Sequence, residues 1–366
     1  MDKKIKICFV SPFAYGLFNS QADLKFGGAE VQMYLLATEL ARDNDYEVSF
    51  VVLDLGQARK EEYSGVKVYK SFRRGRNLFN LIKAPFKLWQ VLRKTKPDIV
   101  ISRAHGVEPG FCALYAKLSR SKFIYSIASN SDVGGERFKG LRGKIFQFGF
   151  RNADLLVAQS RDQIKILEKK YPSKAQKAVL IKNSFPLKNL TEEKKNILWV
   201  GSSADVKRPQ IFLDLAQEFP GEKFVIIITK STVNLELWKE IKERVREMKN
   251  VRFFEKVNFI EIDKYFAQAK VFVNTSVFEG FPNTFLQALA TQTPLLSLKV
   301  DPDDFIIKNN CGLVCGDDFE KLKNNLKRLL ENQEEREKMG RQGQEYLKQN
   351  HDIKKNIEEW KKFLRV

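Results

Sequence analysis

The sequence predicts an α/β fold of two doubly wound domains in tandem, and three observations predict it. The chain has 366 residues, more than twice the length of roughly 150 residues that one ordinary core takes. Short β-branched runs alternate with longer amphipathic segments, the pattern of parallel strands joined by crossover helices. A polar stretch containing proline, SFPLKNLTEEKK, interrupts that alternation midway.

In the first half the strands read IKICFVS from Ile5, EVSFVVLD from Glu47, DIVIS from Asp98, KFIYSIA from Lys122, ADLLVAQS from Ala153 and AVLIKN from Ala178. Runs so continuously apolar are buried on both faces, so helices must cover them. In the second half they read NILWVGS from Asn196, KFVIIIT from Lys223, VRFFEKV from Val251, VFVNTS from Val271 and PLLSL from Pro294. We place the first domain at 1–186 and the second at 187–350. Residues 351–366 form a last amphipathic helix that packs back on the first domain. Two such domains direct attention to loops at the carboxyl ends of their strands.

Hydrophobic residues at 43% and charged residues at 30% describe a globular chain. No apolar run reaches the roughly 18 residues of a membrane span, and Ile5 opens a strand with no signal-peptide pattern before it, so the expected location is the cytosol. Cys8, Cys112, Cys311 and Cys315 sit in apolar contexts and read as free buried thiols. With His105 and His351 as the only histidines, neither a metal centre nor a metal cofactor is expected.

Three loops could hold a diphosphate. Gly27 and Gly28 precede the helix VQMYLLATELA, where backbone N–H groups and the helix dipole favour an anion, although a Gly-Gly pair here equally reads as a turn. The spacing is not the GxGxxG fingerprint of a dehydrogenase. In WVGSSADVKRP, Lys207 and Arg208 stand just before Pro209, at a helix start beside the small Ser202; a solvated surface pair is the plainer alternative. In FEGFPNTFLQALA, Glu279 ends a strand, Gly280 admits close backbone approach and Pro282 stiffens the loop. The N–H groups from Asn283 through Thr284 to Phe285 open the following helix, and Gln287 lies one turn along it.

Taken together, FGGAE at Phe26–Glu30, WVGSSADVKRP at Trp199–Pro209, VFEGFPNTFLQALA at Val277–Ala290 and CGLVCGDD at Cys311–Asp318 resemble the retaining, nucleotide-sugar-dependent group-1 glycosyltransferases. The resemblance implies a GT-B fold, two Rossmann-like domains facing a central cleft. It also implies transfer of a sugar, with retention and without metal, from a nucleoside-diphosphate sugar, UDP- or GDP-linked, to a hydroxyl of a glycan or lipid-linked acceptor. Lys207 then looks like the diphosphate-binding lysine and Glu279 like the first acid of a paired-Glu motif that contacts the donor sugar. The backbone of Gly280, Phe281, Pro282 and Asn283 would cradle that sugar, and Gly27 and Gly28 would approach the distal phosphate. The sequence departs from the family at Ser202, where an arginine is common, and at Gln287, where the second acid usually stands. An amide still hydrogen-bonds ribose, and Arg208 is the candidate replacement cation. On the acceptor side, Arg103 and His105 follow the DIVIS strand, His105 being a sugar contact, a general base or a structural residue. Asp132 follows the KFIYSIA strand, as an acceptor contact or a helix cap. A sugar-nucleotide-binding protein without catalysis and a GT-B sugar-nucleotide epimerase are the competing readings.

Charge is uneven. The net charge is +19, and residues 1–186 hold 33 Lys/Arg against 17 Asp/Glu, leaving +3 for the rest. From Tyr63 to Pro97 there are ten Lys/Arg, Arg74 and Arg76 among them, and no acid. Leu78, Ile82, Phe86, Trp89 and Leu92 recur there at helical spacing, and RFKGLRGKIFQFGFR follows from Arg137. Basic amphipathic helices with aromatics read as peripheral elements on an anionic membrane surface, or as core helices with solvated charges. The expected place is the inner membrane face, beside a lipid-linked or lipopolysaccharide acceptor. With no reader module in the sequence, nucleic acid is not an expected partner.

Overall fold

The computed structural model describes residues 3–22, 24–73, 78–103, 105–188, 190–231 and 234–365, with residues 78–82 described by their backbone alone. Arg74, Arg76 and the side chains of Leu78 and Ile82 therefore lie outside the described residues. The chain forms two compact units, Met1–Ser184 together with Ile353–Val366, and Phe185–Asp352.

The first unit is built on β1 (Ile5–Val10), β2 (Tyr46–Val52), β3 (Lys60–Tyr63), β4 (Val66–Lys70), β5 (Ile99–Arg103), β6 (Lys122–Ser126), β7 (Leu155–Ala158) and β8 (Ala178–Leu180), in the order β3-β4-β2-β1-β5-β6-β7-β8. All these pairings are parallel except β3 with β4. That hairpin was not anticipated. Its signal was Ser64-Gly65, whose φ values of 50° and 80° make the left-handed two-residue turn that matches strand twist. The helices are α1 (Tyr15–Phe18), α2 (Gly28–Leu40), α3 (Leu78–Thr95), α4 (Glu108–Ser119), α5 (Asn130–Gly134), α6 (Gly140–Asn152), α7 (Arg161–Lys170) and α8 (Pro172–Ala175).

The stripe expected along α3 is rotated. Leu88 and Leu92 are buried and Trp89 half-buried against Tyr115, whereas Phe86 is 59% exposed. Leu88 and Leu92 are one turn apart and share a face, and Phe86, two residues before Leu88, lies some 200° round the helix.

The second unit is built on β9 (Asn196–Ser202), β10 (Phe224–Thr229), β11 (Val251–Phe254), β12 (Ala269–Asn274), β13 (Leu295–Ser297) and β14 (Gly312–Val314), ordered β11-β10-β9-β12-β13-β14 and parallel throughout. Around it lie α9 (Pro209–Glu218), α10 (Leu235–Glu247), α11 (Ile262–Ala267), α12 (Asn283–Ala290), α13 (Phe305–Lys308), α14 (Phe319–Glu331) and α15 (Gln333–Asn350). The final helix, α16 (Ile353–Lys361), belongs to the first unit. There it buries Ile357 and Trp360, and Lys361 Nζ meets the Asp43 carboxylate at 2.7 Å.

In each sheet the strand order reverses beside the first strand: β1 lies between β2 and β5, and β9 between β10 and β12. Helices leave to opposite faces at such a point, so the strand carboxyl ends part and leave room for a ligand.

Candidate active site

In the second unit the predicted residues gather at that reversal. β9 ends at Ser202, and a 3-10 turn, Asp205–Lys207, leads into α9. β12 ends at Asn274 and the chain runs through Glu279 to α12. Lys207 Nζ lies 2.6 Å from Glu279 Oε2. The other carboxylate oxygen, Oε1, accepts from Asn274 Nδ2 at 3.0 Å and Ser276 Oγ at 2.7 Å. Glu279 is thus anchored by neutral donors on one oxygen and shares the other with a cation. A side chain so held has two anchors that do not depend on Lys207.

The loops are tied to each other by backbone. The Val277 N–H donates to Val206 O at 2.9 Å, and Thr275 Oγ1 donates to Lys207 O at 2.7 Å while accepting from Trp199 Nε1 at 2.9 Å. Each bond crosses from one loop or strand to the next, so Lys207 and Glu279 sit on one framework.

Arg208 has a different place from the one its sequence position implied. Its Nε donates to Thr275 O at 2.8 Å and its Nη2 lies 2.6 Å from Asp317 Oδ1, so this cation is a strut beneath the loops. The Arg208 and Lys299 hydrogen bonds hold the Asp317 carboxyl below its ordinary range. Ser202 is half-buried at the end of β9, and Gln287 is buried in α12.

Pro282 is the N-cap of α12, with Asn283 and Thr284 in the helix's first turn. Phe281 behind them stacks on Phe305 with ring centroids 5.0 Å apart and meets the tilted ring of His351 at 4.6 Å. Gly280 precedes this aromatic anchor and Gln287 follows it. The first turn of α12 therefore stands on a braced loop.

In the first unit three expectations change. Arg103 was read as an acceptor contact; its guanidinium instead donates to Ser126 Oγ at 3.0 Å, Gln159 Oε1 at 3.1 Å and Asn183 Oδ1 at 2.8 Å. Burial pulls it down to about 10, the Asp132 charge opposing. It ties the end of β5 to β6, β7 and the chain after β8. Asp132 takes its capping alternative: it is 1% exposed and its Oδ2 accepts from the N–H groups of Ala128 at 2.9 Å and Ser129 at 3.1 Å. Gly27 does open α2, but its N–H is taken by Glu30 Oε2 at 2.8 Å, which puts a carboxylate where an anion was expected. Gly28 is the first residue of that helix.

His105 is exposed just beyond the end of β5. Partial desolvation and then the Arg137 cation hold its ring below its ordinary value, with Asp132 opposing, so it is neutral at pH 7. Such a ring can accept a proton.

Two Rossmann-like α/β units, each with its candidate residues at a strand reversal, define the GT-B class of fold. The family models agree in both halves: "Glycosyltransferase Family 4" matches residues 26–188 and "Glycosyl transferases group 1" matches residues 181–346. The chain belongs to the group-1 glycosyltransferase family. It is similar to an uncharacterized glycosyltransferase of Methanocaldococcus jannaschii, 23% identical over 60% of this chain and 60% of that one, so the match spans under two thirds of the relative. Among solved structures, sucrose-phosphate synthase from Thermosynechococcus elongatus has a TM-score of 0.78 at 17% identity over 98% of each chain. S. aureus TarM, in a complex with fondaparinux, α-GlcNAc-glycerol and UDP, has a TM-score of 0.70 at 14% identity over 99% of this chain and 100% of its own.

Proposed function

We propose that the chain is a retaining glycosyltransferase that moves a sugar from a UDP- or GDP-sugar to a hydroxyl of a glycan or lipid-linked acceptor. The observation that carries this reading is the Lys207–Glu279 pair, 2.6 Å apart where β9 and β12 diverge. Transfer breaks the bond between the anomeric carbon and the diphosphate oxygen and forms one to the acceptor oxygen, and the departing diphosphate gains negative charge. Lys207 exchanges Glu279 for that diphosphate, and the N-terminus of α12 adds its N–H groups, an electrostatic role that needs no metal. Glu279, still held by Asn274 and Ser276, faces the donor sugar, with the backbone of Gly280 to Asn283 beside it. Gln287 serves the ribose through its amide. His105, neutral at pH 7, takes the acceptor proton. That the same fold binds UDP in TarM supports a nucleotide donor here.

The acceptor is proposed to be presented at an anionic membrane surface. Across α3, α4 and α6 the only acid is Glu108, whereas Phe86, Leu118, Leu141 and Phe148 are exposed among exposed lysines and arginines. No helix among the described residues is long and apolar enough to cross a membrane, so the proposed attachment is peripheral.

The test is thermal stabilisation by UDP, GDP, ADP and CMP with their sugar nucleotides, followed by turnover. We expect one nucleoside diphosphate to stabilise the protein, Lys207→Ala to abolish the shift, and Glu279→Gln to keep it while lowering kcat about 10²-fold or more. NMR of the product must show the donor's anomeric configuration. Stabilisation without turnover for any acceptor would favour a binding protein; turnover of donor without acceptor, an epimerase.

A further inference from the structure

At the end of the first sheet opposite to Arg103 and His105 lies a hollow of about 490 Å³. Ser121, Asp154 and Lys177 line it, the residues that immediately precede β6, β7 and β8. Lys117 and Arg120 reach it from the end of α4, Arg151 from the last turn of α6, and Lys174 from α8. Five cations from four segments thus share one concave surface.

None of the five side chains makes a hydrogen bond or ion pair with any described residue, although Lys207, Arg208, Arg244, Lys270 and Arg328 of the second unit are all paired. The one acid in the hollow is already engaged: Asp154 Oδ2 accepts the Phe123 N–H at 2.8 Å. A cation in the last turn of a helix is favoured by the dipole, which accounts for one at each of α4 and α6. It does not account for five converging side chains, whose mutual repulsion costs stability unless an anion lies among them. Burial, and after it the neighbouring Lys177 charge, hold Lys174 below its ordinary value, with the Asp154 charge opposing.

A neighbouring concavity, lined by Lys3, Lys6 and Lys96, shares Arg120 and Ser121, so the basic surface continues beyond the hollow.

We propose that this hollow is a second anion site, for a ligand carrying several phosphate groups. The groups on that ligand would be met by Arg120 and Arg151 as bidentate donors and by Lys117, Lys174 and Lys177 as point charges. Its occupant is either a soluble polyphosphate compound or a cluster of adjacent anionic lipid headgroups, and the two are separable. The assignment is independent of the role given to Lys207.

The experiment uses the full chain carrying Lys207→Ala, so that phosphate binding at the proposed donor site does not contribute. Inorganic tripolyphosphate is titrated by calorimetry, and vesicles of phosphatidylglycerol are compared with vesicles of phosphatidylcholine by co-sedimentation. Adding Lys174→Gln and Lys177→Gln removes two half-buried or exposed charges, and an unchanged melting curve without ligand checks the fold. The expected result is a loss of about tenfold or more in affinity. A loss in the tripolyphosphate arm assigns a soluble ligand; a loss confined to the phosphatidylglycerol arm assigns lipid headgroups. An equal loss from Lys348→Gln with Lys355→Gln, two exposed lysines elsewhere, would reduce the effect to bulk charge and overturn the proposal. So would binding unchanged in both arms.

Discussion

The Arg103 guanidinium is held by three neutral oxygens, and that choice of partners fixes what its loss would do. Arg103→Met leaves Ser126, Gln159 and Asn183 without their donor, so we expect a loss of about 2–4 kcal/mol in stability, read from the urea midpoint. A residue that only touched acceptor would raise KM and leave the midpoint in place. His105 makes the opposite prediction, because it is exposed and carries no framework. Its ring pKa lies below the ordinary 6.5, so the neutral form persists at pH 7 and is lost only as pH falls through the lower value. The acid limb of kcat/KM should therefore sit below pH 6.5. In His105→Gln that limb should vanish and kcat fall about 10²-fold. A limb unchanged in the variant would remove His105 from the chemistry.

Among the elements, β13 and β14 show how tightly the second sheet is drawn together. A Cβ on Gly312 would stand 2.1 Å from Leu295 O, in the strand paired with it. Backbone cannot yield as a flexible side chain does, so Gly312→Ala should cost about 3 kcal/mol and be seen as a lower melting temperature. β14 itself was not read as a strand, since its three residues carry too little period-2 pattern to stand out. The same is true of β3, whose KEEY is an edge strand of charged residues with no apolar run to mark it. The long buried strands were legible because both faces are apolar, and so were the Lys207 and Glu279 loops, whose glycines, prolines and charges punctuate strand ends. What the sequence withheld was partner choice. Arg103, Asp132 and Arg208 are polar residues at strand ends whether they meet a ligand or a neighbouring backbone, and only the fold decides which. The rotation of α3 was hidden for a similar reason: with aromatics and leucines on several faces, period alone leaves more than one stripe available.

For the molecule as a whole, charge and chain path matter most. The net charge of +19 is concentrated in residues 1–186, so binding to phosphatidylglycerol vesicles should exceed binding to phosphatidylcholine and fall as salt rises from about 0.05 to about 0.5 M, which shortens the screening length about threefold. Phe86→Ser with Leu118→Ser should weaken it further at fixed charge. Equal sedimentation with both vesicles at low salt would end the peripheral reading. The chain path gives a second prediction. Removing residues 353–365 uncovers α2, where Ile357, Trp360 and the Lys361–Asp43 pair now sit. Amide exchange should accelerate across residues 28–40 of the first unit and stay slow in β9, β10 and β12 of the second.

That return path also sets an order of events during translation. Residues 3–184 leave the ribosome first, and most of their sheet can assemble while the rest is being made. Residues 353–365 emerge only after every residue of the second unit, and Lys122 Nζ waits for the carbonyl of Phe363 at 2.7 Å. The half that is synthesised first is therefore finished last, and until then the groove over α2 stays open to whatever else in the cell binds exposed apolar surface.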